Sequence, residues 1–228
     1  MTTSTRSPAP HAIRRFGVQN YDAYWVNRKG IGDTRQTRCH NCIVSLIESL
    51  VPRGGRVLDC GVGPGHVFRM LAEHYETYGV EISDEAFQLY DFDTQRIVQA
   101  DLNDGIPDFG VRFDAIIVSM LIHHLENPPV FLQQVRERLS PGGSFVPVIP
   151  NICYGPFRLR YLAGQFPPIS RAHRNFQTAR EFEEMVRQAD YRQVRRLSPK
   201  KTLRARLWPT WFSQDLVYLF QPISHSAG

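Results

Sequence analysis

Short apolar runs alternate with helix-like segments through the middle of the chain, and this alternation restricts the possible folds more than any other feature. The predicted strands are residues 56–60, 78–81, 97–100, 113–119 and 144–149. Helices are predicted between them, at residues 65–74, just after Ser83, and from Pro128 or Pro129 to Leu139. The run FDAIIVS at residues 113–119 is apolar throughout its middle, as in a strand covered on both faces. Strands and helices alternating at this spacing predict βαβ units and a parallel sheet.

The flanking sequence completes one domain, which is the number expected for 228 residues. Residues 1–15 are expected to be a disordered leader, and residues 16–52 an N-terminal cap and a helix that begins at Arg35 and ends at Leu50. Residues 53–150 form the predicted core. Residues 151–176 are rich in Pro, Gly and aromatic side chains and are interpreted as an inserted lid or irregular loop. Residues 177–228 add a helix capped by Thr178 and two strands, near 191–197 and 212–220.

Glycines and acidic side chains follow the predicted strands at the point where each strand ends. The sequence VLDCGVGPG at residues 57–65 turns from the first strand into the first helix, and its alternate glycines allow a ligand to approach the backbone closely. Glu81 stands at the tip of the second strand, where an acid can bind ribose hydroxyls, and Asp101 follows the third strand. Because the carboxyl ends of parallel strands share one sheet edge, these tips predict a ligand site there.

These motifs resemble those of the class I S-adenosylmethionine-dependent methyltransferases. VLDCGVGPG is similar to the family's first motif, GVEIS to its second, QADLND to its third and FDAIIVSMLIHHLENP to its fourth. LSPGGSFVPVIPN is similar to the helix-to-strand turn that closes the family's core. The match covers residues 56–151 in order and spacing. Val62 stands where many members have Cys, at a position that faces away from the expected ligand path.

The resemblance implies a fold and a cofactor site. The fold is a three-layer, Rossmann-like α/β structure with a seven-stranded, mostly parallel sheet whose last strand is antiparallel. The cofactor is S-adenosyl-L-methionine, whose methionine end would lie against Asp59 and the turn that contains Gly61, Gly63 and Gly65. Glu81 would bind the ribose, Asp101 and Leu102 the adenine, and Ser119 would close the pocket near the sulfonium. The fourteen acids against seven bases in residues 51–150 favour such a cationic ligand.

Two histidines just past the fourth strand are the candidate catalytic residues. Methyl transfer is an in-line displacement, and a hydroxyl acceptor must also lose a proton. The resemblance extends to small-molecule O-methyltransferases that place a His pair at this position, so His123 or His124 is the predicted base. Packing or helix capping is the alternative role for either. The sequence Ser-Met-Leu-Ile at this tip also argues against methylation of nucleic-acid bases, for which such enzymes typically carry Asn or Asp-Pro-Pro there.

The flanks are expected to select the methyl acceptor. Tyr24, Trp25 and Arg28 belong to an aromatic and basic cluster before the first helix, and Tyr154 opens a similar cluster in the insertion. His173 is a third candidate in a segment similar to the His-x-x-Phe-x-Thr run of related enzymes, with a plain loop histidine as the alternative. Aromatic walls with arginines suit a flat or anionic small molecule. A solvated arginine surface is the alternative interpretation.

Composition leaves three functional hypotheses. The leading one is an O- or N-methyltransferase of a small metabolite. Residues 151–228 carry thirteen bases and five acids, which keeps an RNA or protein methyltransferase open and allows contact with an anionic membrane surface, although nucleic acid is the less expected partner. A non-catalytic cofactor-binding partner is the third hypothesis. The acceptor's identity and the oligomeric state stay open.

Compartment and metal content are predicted from the cysteines and the apolar runs. Four cysteines in 228 residues are too few for a disulfide framework, and the apolar runs are too short for a membrane span, so a reducing cytoplasm is expected. The N-terminus faintly resembles a transit peptide, but a leader without structure is the preferred interpretation. Cys39 and Cys42 have zinc or redox spacing, yet no second ligand pair follows, so we predict no metal.

Overall fold

A computed structural model describes residues 34–166 and 175–223 of the chain. The helices are α1 Thr34–Leu50, α2 His66–Ala72, α3 Asp84–Phe87, α4 Pro128–Arg138, α5 Gly155–Leu162, α6 Ala179–Gln188, α7 Leu203–Leu207 and α8 Pro209–Phe212, with a 3₁₀ turn at Ile122–His124. The strands are β1 Arg56–Cys60, β2 Glu76–Glu81, β3 Ile97–Gln99, β4 Phe113–Ser119, β5 Leu139–Pro150, β6 Tyr191–Leu197 and β7 Asp215–Pro222. The predicted leader and most of the predicted N-terminal cap lie outside the described residues.

The seven strands form one sheet in the order β3-β2-β1-β4-β5-β7-β6. Strands β1 to β5 are parallel to one another, whereas β7 runs antiparallel to both β5 and β6. The order reverses between β1 and β4, which is the switch point where ligands bind in open α/β sheets. The predicted mostly parallel, seven-stranded sheet with an antiparallel last strand is confirmed.

Helices cover both faces of the sheet, which gives three layers. On β4, Ile116 and Val118 join the apolar cluster that includes α4 and α6 residues, such as Phe131 and Phe182. The alternate residues of β4 join a second cluster with α1 residues such as Ile43 on the opposite face. Side chains alternate along a strand, so a strand buried between two helix layers must be apolar at every position. This explains why FDAIIVS was recognisable from sequence.

Polar caps set the starts of three helices as their sequences predict. The Ser83 hydroxyl accepts a hydrogen bond from Ala86 N at 3.2 Å at the start of α3. Asn127 caps α4 through Val130 N, and Pro128 occupies its first turn. Thr178 and Glu181 form a reciprocal capping box at α6. These caps fix the angle at which the chain leaves the sheet edge that carries the candidate site.

Three parts of the fold differ from the predictions. Strand β5 begins at Leu139 rather than Ser144, because a register shift lets the Pro141-Gly142-Gly143 turn stay within the strand. Residues 151–176, interpreted as a lid or irregular loop, contain the helix α5. The last strand was predicted to begin at Phe212, but Pro209 starts the short helix α8 there and β7 begins at Asp215.

Candidate active site

The glycine turn lies between β1 and α2, at the sheet edge where the order of strands reverses. Gly61, Gly63 and Gly65 all have positive φ angles, of 81°, 56° and 81°. Side-chain-bearing residues rarely adopt this left-handed conformation, so the turn needs glycine at these three positions. The Gly61 N–H donates to Val80 O at 2.8 Å, which ties the turn to β2.

Glu81 at the end of β2 is buried and holds the glycine turn through its carboxylate. One carboxylate oxygen, Oε2, accepts a hydrogen bond from Gly63 N at 2.7 Å. The other, Oε1, accepts from Ile82 N and Ser83 N, each at 2.9 Å. These backbone donors stabilise the ionised carboxylate and fix its orientation. Glu81, predicted only as an acid at the strand tip, therefore also contacts the glycine turn directly.

Asp59 lies on β1, below the glycine turn, with only 2% of its surface exposed. Burial, and secondarily the negative charge of Glu81, raises the pKa of Asp59 to about 8. Both effects disfavour the charged form of this carboxyl. Two acidic groups thus lie side by side at the edge of β1 and β2, and a cationic ligand nearby would favour ionisation of Asp59.

Two aromatic side chains pack against the glycine turn, and sequence reasoning missed them. The Tyr90 hydroxyl donates to Gly63 O at 2.9 Å. Burial, together with the charges of Glu81 and Asp59, raises the pKa of the Tyr90 phenol, so it stays a donor. A Cβ atom placed on Gly65 would lie 2.5 Å from the Phe92 ring. Phe87, Tyr90 and Phe92 form an aromatic cluster at the end of α3 and just after it, but their spacing alone does not indicate a contact with the glycine turn.

The predicted adenine-binding residues follow β3 in a tight turn. Asp101 Oδ1 accepts hydrogen bonds from both the backbone N and the side-chain Nδ2 of Asn103, each at 2.9 Å. Leu102 is buried in the core cluster of this sheet face. Asn103 Oδ1 accepts from Glu126 N at 2.8 Å, and this contact links the turn to the loop that follows β4. The tips of β3 and β4 are therefore held together by side-chain contacts.

The tip of β4 directs the chain across the glycine turn. Ser119 ends the strand, and Met120 adopts a φ of 53°, an uncommon conformation for a residue other than glycine. The Met120 N–H donates to Val148 O at 2.9 Å, which holds this bend against β5. A Cβ atom on Gly61 would lie 3.4 Å from Leu121 Cδ2, so Leu121 covers the first glycine of the turn.

His123 and His124 lie in the 3₁₀ turn that follows Leu121. Their ring centroids are 4.3 Å apart and tilted by 45°. His123 is buried, whereas His124 is half-buried. Asn175 holds this turn through two contacts: its N–H donates to His123 O at 3.1 Å, and its side-chain Nδ2 donates to Leu125 O at 2.7 Å. Sequence analysis gave Asn175 no role, since the contact joins segments about fifty residues apart.

An open cleft of about 270 Å³, counting the solvent at its mouth, adjoins the histidine turn. Its lining residues are Ile122, His123, Ile149, Pro150, Ile152, Asn175, Gln177 and Phe182. The imidazole of His123 and two side-chain amides are polar groups that converge on this cleft, and such groups can orient a small molecule. Leu121 covers Gly61 and the next two residues line the cleft, so one short segment of the chain contacts both the glycine turn and the cleft.

The remaining predicted site residues are not brought to this cleft by the described part of the chain. Tyr154 is absent from its lining; its hydroxyl contacts Lys200 Nζ at 3.1 Å, and the same ammonium lies 4.9 Å from the Tyr154 ring centroid. Tyr24, Trp25, Arg28 and His173 lie outside the described residues. Within residues 34–166 and 175–223, no group of three or more His, Cys, Asp or Glu could hold a metal ion.

The sequence matches the family described as a methyltransferase domain over residues 34–196. A bifunctional methionine biosynthesis protein, MetXA/MetW, from Rhodopirellula baltica is 26% identical over 129 residues. That match covers 52% of this chain but 20% of the relative, so the chain spans about a fifth of that protein's length. The match to the family model extends from α1 to the end of β6 and includes both the glycine turn and the histidine turn.

Solved structures of methyltransferases share the fold at low sequence identity. An S-adenosylmethionine-dependent methyltransferase from Clostridium acetobutylicum has a TM-score of 0.65 at 13% identity, over 90% of this chain and 99% of that one. Magnesium protoporphyrin IX methyltransferase from Synechocystis, solved with bound S-adenosylhomocysteine, has a TM-score of 0.62 at 16% identity, over 88% and 94%.

The fold and the glycine turn define an S-adenosylmethionine-dependent methyltransferase of class I. The chain belongs to the methyltransferase-domain family that its sequence matches. The predicted enzyme class and the predicted methyl donor, S-adenosyl-L-methionine, are confirmed.

Proposed function

We propose that this enzyme transfers a methyl group from S-adenosyl-L-methionine to an oxygen or nitrogen of a small anionic or aromatic metabolite. The observation that supports the proposal best is that one short segment, residues 121–123, contacts both the glycine turn and the cleft. Leu121 covers Gly61 on one side, and His123 lines the cleft on the other. A donor at the glycine turn and an acceptor in the cleft would therefore meet near the tip of β4, as an in-line transfer requires.

The residues at the sheet edge fit the proposed cofactor. Positive φ angles open the backbone at the turn, and two buried acids lie beside it, so the site suits a ligand with a cationic amine and sulfonium. Asp59 and the glycines would hold the methionine end, and the oriented Glu81 carboxylate would accept from ribose hydroxyls. The adenine would lie against Asp101 and Leu102, and Ser119 would close the pocket near the sulfur.

The cofactor supplies a methyl carbon bonded to a positively charged sulfur that leaves as a neutral thioether. The protein would position the acceptor so that the lone pair of the acceptor atom lies opposite the carbon–sulfur bond. The apolar residues of the cleft would limit the access of water to the acceptor. For a hydroxyl acceptor, His123 would take the proton, because its imidazole lies in the cleft wall and a neutral imidazole is a suitable base near neutral pH. Asn175 would keep the histidine turn in place through its two contacts.

The lining of the cleft supports a small acceptor with an apolar body. Ile149, Ile152 and Phe182 give apolar contact area, and the amides of Asn175 and Gln177 offer hydrogen bonds that orient a polar group. The arginine-rich insertion outside the cleft supports the anionic part of the proposal. A cytoplasmic location is part of the same proposal and is supported by the four cysteines, none of which forms a disulfide in the described part of the chain.

Calorimetry with S-adenosylmethionine and S-adenosylhomocysteine tests the donor site. Glu81→Ala should weaken binding of both compounds at least tenfold, since it removes a charged acceptor from the ribose site. Glu73→Gln, which changes an exposed acid at the end of α2, is the matched control and should bind as wild type does. Unchanged binding in Glu81→Ala would refute the cofactor placement.

Methyl-labelled cofactor added to a cell extract tests the acceptor class. After incubation with the enzyme, the small-molecule, RNA and protein fractions are separated, and the label in each is measured. We expect an enzyme-dependent label in the small-molecule fraction. Label confined to RNA or protein would overturn the proposed acceptor class while leaving the donor site intact. In that case the alternative based on the basic C-terminal third would be correct.

A further inference from the structure

Large apolar side chains are exposed on two helical segments beyond β5. On α5, Leu159 is 66% exposed and Leu162 is 84% exposed. On α7 and just after it, Leu203, Leu207 and Trp208 are also exposed, each by more than half. Isolated exposed leucines need no explanation, but several on neighbouring elements mark an interaction surface. We name residues 158–166 and 200–212 together the basic apolar face.

The two segments of the basic apolar face are held together as one unit. The Arg158 guanidinium lies 4.6 Å from the Trp211 ring centroid, and a Cβ atom on Gly155 would lie 2.8 Å from Trp211 O. Asn151, which is buried, donates through Nδ2 to Thr210 O and Ser213 O at 2.9 and 2.7 Å. These contacts join α5 to α8 across about fifty residues of sequence. The exposed leucines therefore belong to one packed structure and not to two independent loops.

The charge of the basic apolar face has a single sign. It contains six basic residues, Arg158, Arg160, Lys200, Lys201, Arg204 and Arg206, and no acidic residue. Basic side chains interspersed with Leu, Trp and Phe are the composition of protein surfaces that lie in the interface of an anionic bilayer. There the apolar side chains enter the acyl boundary, Trp lies at the headgroups, and the cations contact lipid phosphates.

We propose that the basic apolar face docks this enzyme peripherally on membranes that contain anionic lipids. None of the described helices is long and apolar enough to cross a bilayer, so the contact is with the membrane surface. The four exposed leucines add aliphatic area that base stacking in a single-stranded RNA site does not use, whereas the exposed aromatic side chains of the face would lie at the lipid headgroups. The face also lies close to the cleft along the chain. Ile152 lines the cleft, and α5, which carries part of the face, begins three residues later.

Sedimentation with lipid vesicles tests this proposal independently of methyl transfer. The full-length protein is mixed at physiological salt with vesicles of phosphatidylcholine alone or of equal parts phosphatidylcholine and phosphatidylglycerol. We expect sedimentation with the anionic vesicles only. The double variant Leu159→Ala with Leu162→Ala should weaken vesicle binding about tenfold or more, because both substitutions remove apolar area at exposed positions. Arg204→Gln with Arg206→Gln should weaken it by about fivefold per residue.

Arg192→Gln with Arg195→Gln is the matched control, because it removes two exposed charges from β6, outside the basic apolar face. It should leave vesicle binding within about twofold of wild type. Unchanged cofactor affinity in all variants shows that they are folded. Equal weakening in the control would overturn the proposal, because binding would then depend on net charge alone. The proposal is also refuted if the wild-type protein does not sediment with anionic vesicles. It is likewise refuted if the protein binds oligouridylate instead and if Arg204→Gln with Arg206→Gln abolishes that binding.

Discussion

Replacing Asp59 by Asn should change how the stability of the enzyme depends on pH. The carboxyl of Asp59 is 2% exposed, and burial with the charge of Glu81 raises its pKa from 3.8 to about 8. The native state therefore holds a proton on Asp59 that the unfolded chain loses above about pH 4. Since the native state binds more protons than the unfolded state, the free energy of unfolding must fall as pH rises through this window.

The size of the effect follows from the difference between the two pKa values of Asp59. Between about pH 5 and pH 7 the unfolded carboxyl is ionised and the native one is protonated, so each pH unit costs about 1.4 kcal/mol. The loss over this range is about 3 kcal/mol, and it levels off once the pH exceeds the native pKa. Asn has no carboxyl to titrate, so Asp59→Asn should lack this component and gain relative stability as pH rises.

Urea unfolding of both proteins at about pH 5, 6 and 7 measures this difference. The free energy of unfolding of Asp59→Asn minus that of wild type should rise by about 1.4 kcal/mol per pH unit. Taking the difference cancels the other titrating groups that both proteins share. Asp104→Asn, at an exposed position after β3, is the control and should track wild type. If the difference in the free energy of unfolding between Asp59→Asn and wild type stays constant with pH, the claim that Asp59 is protonated in the native state is refuted.

Three further substitutions test individual contacts of the site. His123→Asn should lower kcat about a hundredfold and remove the acidic limb of the kcat–pH profile; wild-type turnover with an unchanged profile would exclude His123 as the base. Asn151→Ala should lower the free energy of unfolding by about 2–3 kcal/mol in urea, because one buried and one partly buried backbone carbonyl lose their donor; a loss below about 1 kcal/mol would contradict this. Gly65→Ala should lower the free energy of unfolding by about 2 kcal/mol, because of the φ of 81° at this position and the nearby Phe92 ring. The same substitution should weaken cofactor binding in calorimetry. Unchanged stability and binding would show that the turn accommodates a side chain.

Strands were easier to predict than short helices in this chain, for a physical reason. A strand buried on both faces has a nearly unbroken apolar run, so the bounds of β1 and β4 were predicted correctly. The bounds of β6, an exposed edge strand, were also predicted, although it has no such run. Helices α7 and α8 have five and four residues, which is too short for a 3.6-residue period to repeat. Their starts depend on Thr202 as a cap and on the proline Pro209, and these are weak signals without the tertiary contacts to α5.

The candidate site was predictable to the extent that the parallel sheet determines it. Glu81 and Asp59 come together because adjacent parallel strands end at the same edge of the sheet. Tyr90 and Asn175 were not predictable, since each acts through a hydrogen bond to a residue at least twenty-seven positions away. Such contacts depend on how the loops close over the sheet edge, and no local pattern in the sequence specifies that closure.

The regional charge totals turn out to be a weaker guide to ligands than the positions of a few charges. Many acids of residues 51–150 lie at the surface, and several pair there with arginines, as in Arg56–Glu76, Arg69–Asp91 and Arg138–Asp108. Screening by water leaves such pairs little influence on a bound ligand. Glu81 is buried beside the glycine turn, where the lower dielectric strengthens its field, and the neighbouring Asp59 would ionise beside a bound cation. The same distinction applies to the C-terminal third, where Arg187 and Arg196 pair with glutamates while the six bases of the basic apolar face have no acid in their own segments. The charge expected of a cofactor or a membrane therefore follows from these two local groups, and the net charge of +5 predicts neither.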